Sequence, residues 1–408
     1  MSTEALDQAA ATSAPQLPTT VWNAGFLSIF FTNMALNMGM FMSNSLLSIY
    51  ANSLGASATA IGMVMSTFAI SSISFRMISA PIMDTYNRKY VVAFATSTLA
   101  IAFFGFSLAN SIPVLLAFRL VQGCGMAFGN ACCLAIVAEM LPKDKYASGI
   151  GYYSLAQVMC QAIGPSLGLF LVDQVGFKMT YIFNSCVMLI ATFLALRVKL
   201  NFTQTKKLTL RINNIIAKEA LLPSSTLLIL SMGGTAIGSF LILFSREQGV
   251  TSNIGLYYTV TAVTMLATRP MIGKLTDKYG LVKVIVPALL CNVATFFIIS
   301  FSTTLWGFLL AGLISAFGYG ACQPAMQALT MKAVTNDRRG AASSTNYIGM
   351  DLGSLFGPTL CGAVAQSLGY VMMWRVMTIP FIIGMIYIFL SRSTIKQIED
   401  EFEARQSA

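Results

Sequence analysis

The sequence predicts an all-α membrane protein of twelve transmembrane helices arranged as two pseudo-symmetric six-helix bundles. Three observations predict it. Of 408 residues, 56% are hydrophobic and 10% charged, with a mean hydropathy of +0.72; soluble domains carry roughly 25% charged residues. The apolar residues run in blocks long enough to span the hydrocarbon core, which takes ~20 residues of helix. Only helices and closed barrels satisfy their backbone there, and the short dyad alternation of barrel strands is absent. The third observation is an internal repeat. Arg76 precedes Asp84 as Arg269 precedes Asp277, and the second pair lies 193 positions (269 minus 76) after the first. Gly164–Pro165 and Gly357–Pro358 recur at the same offset. Parallel six-helix repeats of this kind build transporters whose halves rock about a midplane site.

Residues 1–20 are small and polar and read as a disordered cytoplasmic tail, without the basic and short apolar regions of a cleaved signal peptide. The N-terminal bundle, 21–198, holds spans at 22–50, 58–83, 90–110, 113–139, 148–172 and 177–198. A cytoplasmic central loop, 199–222, carries Lys199, Lys206, Lys207, Arg211 and Lys218. The C-terminal bundle, 223–392, holds spans at 223–245, 254–276, 283–302, 304–331, 341–367 and 370–391. Residues 393–408 form a cytoplasmic C-terminal tail.

Net charge is +10, yet no basic stripe interleaved with aromatics points to nucleic acid. The cations sit instead in short connections. With the N-terminus inside, Arg88, Lys89, Lys143, Lys145, Lys278, Lys283, Lys332, Arg338, Arg339 and Lys396 all face the cytoplasm, whereas Lys178, Arg246 and Arg375 lie near the outside. That asymmetry orients both termini inward. The chain has no histidine, and none of its eight cysteines has CxxC spacing. A His-containing zinc site and a Ser–His or Cys–His catalytic pair are therefore excluded. The expectation is a non-enzyme with no metal and no cofactor, working as a monomer in a lipid bilayer.

Residues 76–89 read RMISAPIMDTYNRK and residues 269–280 read RPMIGKLTDKYG. Both resemble the G-x-x-x-D-R-x-G-R-[KR] loop of the major facilitator superfamily. The first copy departs from it at Ala80, Thr85 and Asn87; Asn tolerates the left-handed conformation expected of the turn. The resemblance implies a cytoplasmic gate in which Asp84 meets the N-terminus of the eleventh helix near Gly340, with Arg76, Arg88, Lys89, Arg269, Asp277 and Lys278 completing the two loops. A carboxylate so placed gains roughly 0.3–1 kcal/mol, weak enough to break in each cycle. The alternative is that these are ordinary loop charges.

Residues 119–125, RLVQGCG, resemble the R-x-x-Q-G-x-G motif of proton-coupled members. Arg119 lies ~10 Å inside the outer boundary at 1.5 Å per residue, where a cation faces a partner, a watery cavity, or snorkels to the interface. The fifth span, with Gly151, Gly164, Pro165 and Gly168, resembles the antiporter motif of exporters, although Cys160 and Leu169 replace two of its glycines. Asp351 is the one acid placed ~15 Å into a span, near the midplane and with no evident structural partner. It is the expected proton carrier, with Arg119 tuning it; the alternative is a fixed ion pair with an Arg such as Arg119.

The chain thus resembles the twelve-span drug:proton antiporter type within the superfamily. That implies a cavity lined by the first, fourth, seventh and tenth helices, with Asn33, Asn37, Gln122 and Gln323 as candidate lining residues and a break near Pro324. The expected function is proton-coupled export of small amphipathic compounds from the bacterial plasma membrane, driven by the proton gradient. The paucity of cavity charge disfavours strongly anionic cargo. Rival readings are a proton-coupled importer, a dedicated metabolite, sugar or metallophore exporter, and, from a different class, a transport-inactive membrane receptor or scaffold.

Overall fold

The structure, a computed structural model, describes residues 22–141, 146–198, 200, 216–250, 254–335 and 338–407. The sequence-predicted N-terminal tail and most of the central loop lie outside the described residues, as do the side chains of Asp84, Glu139, Asp277 and Arg339. The described regular structure is helical. In chain order it comprises α1 (Ala24–Ser53), α2 (Ala58–Thr85), α3 (Arg88–Leu108), α4 (Ile112–Met140), α5 (Tyr146–Arg197), α6 (Leu221–Glu247), α7 (Leu256–Tyr279), α8 (Leu281–Phe301), α9 (Leu305–Lys332), α10 (Arg339–Val376), α11 (Thr378–Leu390) and α12 (Arg392–Ser407). A short 3-10 turn, Lys218–Ala220, leads into α6.

Local sequence sets where the helices start. Asn23 and Ser57 accept hydrogen bonds from the backbone N–H groups of Phe26 and Ala60, and Asn87 does the same for Lys89. Each bond satisfies a donor that a helix N-terminus otherwise leaves free. Asn87 does so with φ −61°, so the first loop copy needs no left-handed residue; the equivalent position in the second copy, Gly280, has φ 83°. Side-chain capping in one copy replaces a glycine turn in the other.

Nine helices among the described residues are long and apolar enough to cross a membrane, and two of these run for 46 and 50 residues. Each of the two is broken at one glycine, Gly176 (φ 77°, ψ 170°) or Gly369 (φ 80°, ψ 164°). Side chains with a Cβ rarely adopt that backbone conformation. The two breaks are themselves 193 positions apart (369 minus 176), so the repeat detected in the motifs extends to the backbone. Tyr181 and Trp374, both fully buried just beyond the breaks, keep the same offset (374 minus 181). Reading each broken helix as two passes, and α7 as one, accommodates the twelve passages expected. Arg269, Lys274 and Lys278 make α7 the least apolar of them.

In the N-terminal half α1 and α3 pack on α5, and α4 packs on α2 and α3; in the C-terminal half α6 packs on α10 and α9 on α7 and α8. Small residues set the closest approaches. A Cβ on Gly349, Gly353 or Gly357 would lie 2.5, 2.2 or 2.6 Å from a backbone oxygen of α6. That stripe, spaced by four, fixes which face of α10 meets α6 and leaves Tyr347, Asp351, Pro358 and Gly362 to face α2 in the other half. Residues 393–407, expected as part of a tail, belong to α12: Ile395 is fully buried, and Lys332 on α9 pairs with Glu399 at 3.9 Å and lies over the Phe402 ring at 5.7 Å.

Gly62 is the matching glycine on α2, where a Cβ would lie 2.4 Å from the Pro358 oxygen. Gly62→Val should push the two helices apart and destabilise the protein by about 1–3 kcal/mol, as overpacking does. The check is a lower thermal midpoint in detergent, together with weaker cross-linking of cysteines placed at Ala58 and Gln366.

Candidate functional site

The two halves meet chiefly along two seams, with smaller contacts of α1 and α2 against α6. In the first, α2 and α10 run antiparallel in constant register. From the end near Ala58 inward, Ala58 N–H donates to Gln366 Oε1 (3.2 Å), the Thr59 hydroxyl to the Gly362 oxygen (3.4 Å), and the Thr359 hydroxyl to Ser66 Oγ (2.8 Å). Deeper along the seam stand Ser72, Arg76, Tyr347 and Asp351. In the second seam, α5 and α7 touch near the same end: the Thr259 hydroxyl donates to the Ala162 oxygen at 3.0 Å, and a Cβ on Gly255 would lie 2.9 Å from Ser166 Cα.

Asp351 is the chemical centre of the first seam. Its Oδ2 accepts from Arg76 Nε at 2.8 Å and from the Ser72 hydroxyl at 3.1 Å, and Asp351 as a residue is only 7% exposed. Arg76 also donates to Ser72 Oγ (3.1 Å) and lies 4.7 Å from the centre of the Tyr347 ring. This corrects two expectations. Asp351 has a structural partner, and that partner is Arg76, which the sequence grouped with the cytoplasmic gate, rather than Arg119. The reason is geometric: the glycine stripe of α10 turns Asp351 toward α2, and Arg76 is the cation that α2 presents at that depth.

The repeat does not duplicate the pair. Arg269 is the second-half counterpart of Arg76, but the position equivalent to Asp351 is Val158 (351 minus 193). Arg269 makes no ion pair among the described residues, and its Nε is buried without a hydrogen-bond partner. Among the described residues the first seam carries a carboxylate, while Arg269 on α7 has an electrostatic neighbour in Tyr319 of α9 and no acid.

Between the halves lies a cavity of about 320 Å³. Its polar lining falls at helical spacing on several helices: Asn37 and Asn44 on α1, Arg119 and Asn130 on α4, Gln157 and Gln161 on α5, and Ser315, Tyr319 and Gln323 on α9. Asn37 and Gln323 are therefore placed as expected, and α9 runs unbroken through Pro324. Asn33 and Gln122 are not lining residues. Asn33 instead accepts from Tyr153 Oη (2.8 Å) and Asn37 Nδ2 (2.9 Å), which locks α1 to α5. Gln122 is fully buried and accepts from Arg119 Nη1 at 2.5 Å. The lining from Asn44, Asn130, Gln157 and Gln161 was not foreseen. Its sequence signal was there, in polar residues spaced by four or seven within apolar blocks.

Of the antiporter-motif helix, Pro165 lines the cavity, while Gly164 and Gly168 let α5 approach α1, their Cβ positions 3.0 Å from Phe41 and 3.3 Å from Leu46. The side-chain surroundings of Gly151 lie outside the described residues. So do those of Asp84 and Asp277, which occupy the last turns of α2 and α7. Arg88 Nε donates to the Met83 oxygen at 3.3 Å, and Lys89 and Lys278 lie over the rings of Tyr90 and Tyr279 at 5.0 and 5.1 Å.

The profile of the Major Facilitator Superfamily matches residues 29–212 and 223–407. The chain belongs to that superfamily. It is a multi-pass membrane transporter and not an enzyme. It is similar to the multidrug resistance protein MdtG of Salmonella schwarzengrund, 28% identical over 363 residues, which covers 85% of this chain and 88% of that protein. An uncharacterized MFS-type transporter of Methanocaldococcus jannaschii is 23% identical over 370 residues, 88% and 96% of the two chains. Among solved structures, the fold matches the peptide transporter POT in complex with sulfate (TM-score 0.81, 11% identity, 96% of this chain and 99% of that one). It also matches a bacterial homologue of the lysosomal transporter Spinster in its inward-facing, unoccupied form (TM-score 0.75, 14% identity, 93% and 99%).

Removing one partner of a buried ion pair costs about 3–5 kcal/mol, because the other charge is left uncompensated. Arg76→Gln should therefore lower the thermal midpoint of the purified protein. The combination Arg76→Met with Asp351→Leu should recover most of the loss. Equal destabilisation by the single and double variants would show that the pair is not formed.

Proposed function

We propose that this transporter is a proton-coupled exporter of small amphipathic compounds, working by alternating access as a monomer in the bacterial inner membrane with both termini in the cytoplasm. The observation that carries the reading is the Arg76–Asp351 pair, a buried carboxylate holding one bundle to the other. Asp351 is the acid that stands at membrane depth among the described residues, and protonating it removes the charge that Arg76 answers. Proton uptake thereby loosens the α2–α10 seam, and proton release closes it again. Both seams touch at the Ala58 end, a geometry that suits a cavity reached from the opposite, basic side. In an exporter that state awaits cargo, in keeping with Asp351 being paired with Arg76. The export direction draws further support from similarity to a protein named for multidrug resistance and from the glycine–proline motif of α5. Arg119, which makes no contact with Asp351, takes no direct part in the proton step on this reading.

The test uses proteoliposomes with an imposed pH gradient. Asp351→Asn should reduce gradient-driven flux of a transported compound to the leak of protein-free vesicles. Exchange of that compound without a gradient should persist, since it needs cargo binding but no net proton transfer. Gradient-driven flux retained by Asp351→Asn would remove Asp351 from the mechanism.

A further inference from the structure

We propose that the central cavity is built for a mono-anionic amphipathic cargo, an organic acid whose carboxylate is held by Arg119; its use in export rests on the reading above, its binding does not. The inference starts from a charge inventory. Arg119 is the one charged residue lining the cavity among the described residues. It is 2% exposed, and its partners are all neutral: Gln122 Oε1 at 2.5 Å, Asn44 Oδ1 at 3.1 Å, the Met65 oxygen at 3.4 Å, and the face of the Phe68 ring at 5.1 Å. Its Nε is buried with no partner at all. A guanidinium does not shed its proton in proteins, so the charge is permanent.

Among the described residues no carboxylate contacts it. Asp351 is committed to Arg76 and Ser72 and does not line the cavity. Glu139 lies twenty positions along α4 from Arg119, ~30 Å at 1.5 Å per residue. Asp84 and Asp277 stand in the last turns of their helices, Asp173 beside the Gly176 break, and Glu247 at the end of α6. Every other acid is in a tail, a connection or α12. Among the described residues the cavity therefore holds one positive charge without an acidic partner, on a side chain only 2% exposed, where a counter-charge supplied by cargo is worth most.

The rest of the lining fits the body of such a molecule. Asn130, Gln157 and Gln161 offer amide donors, while Met40, Phe41, Phe296 and Phe381 supply apolar and aromatic surface. A volume of about 320 Å³ admits one small amphipath. A cation there would meet repulsion with no acid to offset it, and a dianion would carry one charge that nothing answers.

The experiment measures equilibrium binding to the purified full-length protein, with no gradient. It uses three matched probe sets: phenylalkanoates of increasing chain length, their primary amides, and the corresponding phenylalkylamines. At neutral pH the best acid should bind about tenfold or more tightly than its amide, with the amine weakest. Arg119→Gln should abolish the acid-over-amide margin, and Arg119→Lys should keep part of it. Equal or tighter binding of amide or amine, no binding by any acid of the series, or a margin that survives Arg119→Gln would each overturn the proposal. If Arg119→Gln does not fold, the comparison of the three sets on the unaltered protein decides alone. Because no flux enters the measurement, its failure is distinguishable from failure of the Asp351→Asn test.

Discussion

The architecture depends on one ion pair, Arg76 with Asp351, made across the seam between the two bundles. Two unit charges ~4 Å apart attract by roughly 4 kcal/mol at an effective dielectric of 20. Taking each from water costs several kcal/mol. The balance is close, so the pair contributes more to which faces of α2 and α10 meet than to net stability. The hydrogen bonds of Ala58, Thr59 and Ser66 along the rest of the seam are neutral, so they hold α2 against α10 without responding to protons.

Symmetry makes the pair informative. The offset of 193 relates the loop motifs, the Gly–Pro pairs, the helix breaks at Gly176 and Gly369, and the buried aromatics Tyr181 and Trp374. It relates the arginines too, but not the acid, since Val158 stands where a second Asp351 would be. Two equivalent seams have thus diverged chemically. The α2–α10 seam is tied by charge deep in the membrane. The α5–α7 seam is joined near its Thr259 end, where Gly255 packs on Ser166, and among the described residues Arg269 of α7 makes no ion pair. Among the described residues, the α2–α10 seam is the one that carries an acid–base pair between the two halves.

Much of this was legible in residues alone. Block hydropathy gave the helical membrane class, and recurring motifs gave the two halves. The distance of Asp351 from its helix end gave its depth, because a helix rises by a fixed amount per residue. Helical spacing also marks the cavity faces of α1, α5 and α9; of the four candidates Asn33, Asn37, Gln122 and Gln323, Asn37 and Gln323 line it. What misled was adjacency: Arg76 was assigned to the loop because it lies eight residues from Asp84, and Arg119 was offered to Asp351 because both are membrane-depth charges. Asn33 and Gln122 have the composition of lining residues but spend their hydrogen bonds on Tyr153 and Arg119.

The sequence by itself determined the helical membrane class, the repeat, and the scarcity of acid within the apolar blocks. These are properties of intervals along a chain, and interval arithmetic reads them. Tertiary structure alone decided which charges meet. Arg76 and Asp351 are 275 positions apart, and no local rule connects them. Their meeting depends on the Gly349, Gly353 and Gly357 face of α10 being occupied by α6, which leaves the opposite face, and its carboxylate, to α2.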